Sequence, residues 1–127
     1  GGNPVSATAG QAVLEVVARD NLLANVKASG NHMLAGFRKL AENYPLIGDI
    51  RGKGLFLTVE LVRDRSSKEP AGSEAAQVQE ALRENGVLLS LNGQGRNCLK
   101  IRPPLVFDTR HADIALAALD KALGRVG

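Results

Sequence analysis

The chain has 127 residues, 44% of them hydrophobic and 23% charged, the profile of one domain large enough to bury a core without disulfides or a metal. Its formal net charge is only +3, its basic residues are spread out and its aromatic content is 3%, which leaves nucleic-acid binding little support. Cys98 is the only cysteine, which excludes an internal disulfide framework and favours a reducing, cytoplasmic compartment; no apolar run reaches the roughly 20 residues of a membrane span.

The chain opens Gly1-Gly2-Asn3-Pro4 without an initiator methionine and enters a helical pattern at once, so it reads as a piece of something longer. From residue 5 to about 43, apolar residues recur at helical spacing: Val13, Leu14, Val17, Leu22, Leu23, Val26, Leu34, Phe37 and Leu40. Asn3 or Ser6 is placed to cap the start, Gly30 predicts a kink or break, and Tyr44-Pro45 ends the helix. So long a helix exceeds what a domain of this size covers. Residues 1–30 are therefore expected to connect to a missing large domain, leaving Val13, Leu14 and Val17 as an exposed apolar stripe when the chain stands alone.

Residues 47–54 read as a glycine-punctuated turn, and residues 55–62 as a strand. Residues 63–70 are charged and polar, the expected mobile loop. Ser73 is placed to cap a helix running to Asn85, with Val78 and Leu82 inward and Gly86 in the left-handed stop position. Residues 87–91 form a short strand, residues 92–95 a turn, and residues 98–102 another strand ended by Pro103-Pro104. Asp108 or Thr109 caps a last helix with Ala115, Leu116, Leu119, Ala122 and Leu123 inward and Gly124 at its end. The expected fold class is α+β: a small sheet of about three strands with helices packed on it, entered by a long N-terminal helix.

Catalytic constellations are scarce. Gly52-Lys53-Gly54 is too short for a phosphate loop and lacks the Lys-Ser/Thr pair. His32 and His111 stand far apart with no partner at ligand spacing, so no metal site is expected. Alternation along residues 98–102 puts Cys98, Lys100 and Arg102 on one face and Leu99 and Ile101 on the other. Two cations beside a Pro-Pro corner form either a wall for a carboxylate or phosphate, or a solvated face decorated with charge, and the pattern alone favours the solvated face.

Four blocks carry a resemblance. Gly1-Gly2-Asn3-Pro4-Val5-Ser6-Ala7 resembles the GGNP segment of class III (ornithine/4-aminobutyrate-type) aminotransferases. The run Tyr44-Pro45-Leu46-Ile47-Gly48-Asp49-Ile50-Arg51-Gly52-Lys53-Gly54-Leu55 is similar to their P-x-I-G-x-x-R-G-x-G-L block, followed by Glu60-Leu61-Val62. Asn85-Gly86-Val87-Leu88-Leu89 and Asn97-Cys98-Leu99-Lys100-Ile101-Arg102-Pro103-Pro104-Leu105 resemble the last two blocks, in the same order.

The resemblance implies the C-terminal small domain of a fold type I enzyme using pyridoxal 5'-phosphate as a homodimer, with the cofactor between a large domain and this region. The reaction implied is transfer of an amino group from an amine or amino acid to a 2-oxo acid. The family's catalytic lysine lies upstream of GGNP and none of this chain's lysines is in that context, so no catalytic residue is assigned, and the chain alone is expected to hold no cofactor and to be inactive. Gly2 and Asn3 are implied near the neighbouring subunit's cofactor, with helix entry and capping as the competing role. Relatives keep a carboxylate-binding arginine at the position of Lys100, with Arg102 two residues on as a substitute on the same face. An ammonium is a point charge rather than a bidentate fork. The block around Lys100 most resembles the alanine–glyoxylate aminotransferase 2-like branch, which includes phospholyases acting on phosphoethanolamine-type amines. The competing reading is a non-catalytic α+β module that binds a small anion or a protein.

Overall fold

The computed structural model describes residues 9–53, 56–102 and 108–126, with side chains from residue 21 onward except that of Lys53. Gly2, Asn3, Gly54, the Pro103-Pro104 pair and the side chains of Val13, Leu14 and Val17 lie outside the described residues.

The order is α1 (Ala9–Asn43), β1 (Ile47–Lys53), β2 (Phe56–Asp64), β3 (Glu69–Pro70), α2 (Gly72–Glu84), β4 (Ser90–Asn92), β5 (Cys98–Ile101) and α3 (Thr109–Val126). The strands pair antiparallel in the order β1-β2-β5-β4, and β3 pairs with the end of β2. The α+β class stands. Among the described residues the sheet has five strands rather than about three.

The additional strands have distinct origins. β1 occupies the segment expected to turn, and its glycines mark close approach rather than reversal. A Cβ at Gly48 would stand 2.5 Å from a Val62 methyl, and one at Gly52 would stand 2.8 Å from Leu34. Gly48 is the extra residue of a bulge, where the register steps from Ile47↔Leu61 to Asp49↔Glu60. β3 is two residues inside the segment expected to be a mobile loop.

Helix α1 runs unbroken through Gly30 and stops before Tyr44-Pro45. Its buried stripe is Val26, Ser29, Met33 and Phe37, spaced by three and four residues, whereas Leu22 and Leu23 are exposed. No basic residue lies in its last turn. Arg65 reaches back instead, donating to the carbonyls of Ala41 at 2.6 Å, Tyr44 at 3.2 Å and Ile47 at 3.1 Å. The Ala41 carbonyl is one that a helix end leaves orphaned, and the other two lie just past the helix.

Helix α2 starts without Ser73 as its cap: the N-cap position is Ala71 and makes no side-chain bond. The Ser73 hydroxyl instead accepts from Arg63 at 3.1 Å and donates to Glu74 at 2.7 Å. At the other end the Gly86 N–H donates to Arg83 and the Val87 N–H to Leu82, with Gly86 at φ +79°, the reciprocal pattern that closes a helix on a left-handed glycine. That closure keeps residues 87–89 out of the ladder, so β4 begins only at Ser90. Asp108 caps α3 through the N–H groups of Arg110 and His111, and α3 continues past Gly124 to Val126.

The buried side chains of all three helices meet Leu57, Val59, Leu61, Leu99 and Ile101 in one core. At its margin, α2 begins against the 92–97 turn. Asn97 is buried; its amide donates to the Leu61 carbonyl at 2.8 Å while the Leu61 N–H donates to the Asn97 carbonyl at 2.8 Å. A Cβ on Gly72 would meet the Gly95 carbonyl oxygen at 2.5 Å, and backbone cannot step aside as a side chain does. Gly72→Ala is therefore expected to cost about 1–3 kcal/mol in chemical denaturation. An unchanged midpoint would contradict this close approach.

A second expectation concerns acid stability. Hydrogen bonds from Arg63 and Ser73 pull the Glu74 carboxyl from its ordinary 4.5 down to about 2. A depressed folded-state pKa contributes stability that is complete above the ordinary value and is lost as pH falls toward the folded one. Between pH 5 and 2.5, Glu74→Gln should therefore lose less stability than the parent. Parallel curves would refute the linkage.

Candidate functional site

Because side chains alternate along a strand, the residues that leave the core to Leu57, Val59, Leu61, Leu99 and Ile101 face away from the helices. On β2 these are Phe56, Thr58 and Glu60; on β5 they are Cys98 and Lys100, with Arg102 following the strand. Lys100 stands opposite Thr58 on one side and Ser90 on the other.

Lys100 and Arg102, the two cations expected on one face, come together there. The Lys100 Nζ lies 4.7 Å from the centroid of the Phe56 ring, and the Arg102 guanidinium carbon lies 5.5 Å from it. Both are inside the roughly 6 Å reach of a cation–π contact. Among the described residues neither cation has a carboxylate within ion-pair distance.

Glu60, on the same face, is held elsewhere. Arg51 projects from β1 and donates to Asp49 at 2.6 Å and to Glu60 at 3.1 Å. Those two bonds, Asp49 first, raise the Arg51 pKa above its already high value and fix its charge. The Cys98 thiol lies beside them, 3.8 Å from the guanidinium and 3.9 Å from Glu60. The face thus divides into an ion-paired cluster of Asp49, Arg51 and Glu60 and a pair of cations, Lys100 and Arg102, with no ion-pair partner among the described residues. Phe56 and Arg51 escaped the sequence reading, because each lies on a strand other than that of the cations and only the register joins them.

Chemically, an ammonium and a guanidinium with hydroxyls beside them suit an anionic group such as a carboxylate or phosphate. They form one wall. Gly2 and Asn3, the residues expected near a cofactor, lie outside the described residues. No described helix is long and apolar enough to cross a membrane.

Known proteins share the sequence and fold of this chain. Residues 1–123 match the family model described as aminotransferase class-III. The alanine–glyoxylate aminotransferase 2 homolog 2, mitochondrial, of Arabidopsis thaliana is 40% identical over 126 residues, 99% of this chain and 26% of that protein. The ethanolamine-phosphate phospho-lyase homolog 1 of Caenorhabditis elegans is 40% identical over 124 residues, 97% of this chain and 27% of that protein. A phospholyase from Arthrobacter, solved in complex with phosphoethanolamine, superposes with a TM-score of 0.78 at 38% identity, covering 96% of this chain and 29% of that one. A Bacillus anthracis aminotransferase superposes with a TM-score of 0.77 at 34% identity, covering 88% of this chain and 26% of that one. The chain therefore spans little more than a quarter of these proteins' lengths. With the family model matched along nearly its whole length, the chain belongs to the class III aminotransferase family.

Proposed function

We propose that the chain is the small-domain portion of a pyridoxal-phosphate-dependent aminotransferase that moves an amino group from an amine or amino acid to a 2-oxo acid. The observation that carries this reading is the helix-free sheet face, where Lys100 and Arg102 flank Phe56 without a carboxylate partner among the described residues. When bound, pyridoxal phosphate supplies the electron sink for the chemistry at the substrate amine. Lys100 and Arg102 take the anionic end of the substrate and so orient its amine. Arg51 keeps Glu60 from neutralising them.

On this reading residues 1–30 connect to a large domain that carries the lysine, and the polypeptide works as a homodimer with Gly2 and Asn3 near the neighbour's cofactor. The 127-residue chain alone holds no cofactor and catalyses nothing. Its free Cys98 thiol fits a reducing compartment, for which we propose the cytoplasm.

A second reading has a specific observation behind it: Lys100 is an ammonium where the resemblance gives an arginine, and phospho-lyases are among the relatives. There the substrate is a phosphoethanolamine-like amine that loses its phosphate. One experiment separates the readings. The complete polypeptide, loaded with pyridoxal phosphate, is assayed for amino transfer from amino acids to 2-oxo acids and for phosphate release from phosphoethanolamine. Robust transfer without phosphate release supports the aminotransferase and sinks the lyase. Phosphate release without transfer does the reverse, and the absence of both returns the chain to a non-catalytic binding module.

A further inference from the structure

We infer that Phe56 is a positioning residue: its ring gathers the Lys100 ammonium and the Arg102 guanidinium into one subsite for an anion. The inference rests on the substrate-facing reading of the open sheet face. It adds a residue that touches no reacting atom and acts through the two cations.

Two like charges on neighbouring strand positions repel, and long side chains in water would splay apart. What opposes this in the structure is the ring. Phe56 is the first residue of β2 and is paired with Lys53 across the β1–β2 hairpin. It is 41% exposed. The same ladder that aligns Leu57 with Ile101 and Thr58 with Lys100 brings Phe56 to the end of β5, where Arg102 follows. Part of the Phe56 ring stays in water, where it offers its negative face to cations. Both cations lie within cation–π reach of the ring.

The neighbourhood leaves their charge available. The pairing partners of Lys100 are Thr58 and Ser90, which carry hydroxyls and no charge. Glu60, the described carboxylate on this face of β2, is engaged by Arg51 at 3.1 Å. A phosphate dianion matches the two positive charges of the pair, whereas a carboxylate carries a single negative charge. The chemistry favoured is therefore a phosphate monoester or inorganic phosphate.

The test needs no turnover, so its failure and the failure of the aminotransferase reading are distinguishable. In the 127-residue chain, the Lys100 ε-methylene and Arg102 Nε resonances are followed by NMR while inorganic phosphate, and separately acetate, is added at constant ionic strength. The parent should show a ring-current displacement of the Lys100 ε-methylene and a saturable shift of both side chains with phosphate, weaker with acetate. Phe56→Leu should abolish the displacement and weaken phosphate binding roughly fivefold. Phe56→Tyr, which keeps the ring face, should stay within about twofold of the parent. The chain's amide dispersion reports whether each variant folds, and Phe56→Tyr carries the test should Phe56→Leu unfold. Phosphate that shifts neither side chain in the parent overturns the subsite. Phe56→Leu binding phosphate as tightly as the parent, or a folded Phe56→Tyr failing to bind, overturns the positioning role.

Discussion

Phe37→Ala is expected to remove about 3–5 kcal/mol of folding stability, a large share of what a single domain possesses. Phe37 is completely buried on α1, in the core that joins that helix to the sheet and to α3. With aromatic content of only 3%, that core is otherwise built from aliphatic and alanine side chains that are short relative to the space a phenyl ring vacates. Ala112, Ala115, Ala118 and Ala122 on α3 have no rotamers with which to fill a void. Collapse around the truncated site is therefore incomplete, and the cavity contribution adds to the lost transfer free energy. Phe37→Leu should cost less, about 1.5 kcal/mol, because most of the volume returns. Urea titrations of the three proteins check this, and a loss below about 1 kcal/mol for alanine would mean that α1 is not seated as described.

Lys100→Glu should raise KM for an anionic substrate of the complete enzyme by roughly 30- to 100-fold, while the stability of the fold changes by less than about 0.5 kcal/mol. The half-buried Lys100 ammonium sits on the sheet face away from the core, so replacing it creates no cavity. Reversal places a carboxylate beside Arg102 and Phe56, which neutralises the remaining cation and repels the incoming anion. The two effects act in the same direction on binding. A substrate amine without an anionic end should be spared, with its KM within about threefold of the parent value. Equal losses for charged and uncharged amines would show that Lys100 serves the fold or the cofactor rather than the substrate end.

The two faces of β5 were legible in the sequence because strand alternation is a local rule: Leu99 and Ile101 go in, Lys100 and Arg102 go out. The end of α1, the inward Val78 and Leu82, the left-handed Gly86 and the Asp108 cap were legible for the same reason, each being set by residues within a few positions. What escaped was non-local. Gly48 and Gly52 look like turn glycines until Val62 and Leu34 are known to press on them. Ser73 has the chemistry of a cap, but Arg63 and Glu74, brought alongside by the fold, draw its hydroxyl away. Gly124 looks like a helix stop, yet α3 continues past it while Tyr44, donating to Asp120, packs alongside. At the candidate site the cations could be named from their spacing, whereas the Phe56 ring that unites them belongs to a strand some forty positions earlier. A large aromatic placed just after a Gly-Lys-Gly hairpin was the available hint.

The alternation of β2 and β5 has an evolutionary consequence. Odd-numbered residues from 57 to 61 and from 99 to 101 are committed to cohesion, whereas their even-numbered neighbours owe the core much less. Codons for the two tasks are interleaved but separately selectable. A lineage can therefore exchange the charge at position 100 in a single generation, trying lysine, arginine or a neutral side chain, without passing through an unfolded ancestor. Diversity of substrates within one architecture is what such interleaving permits.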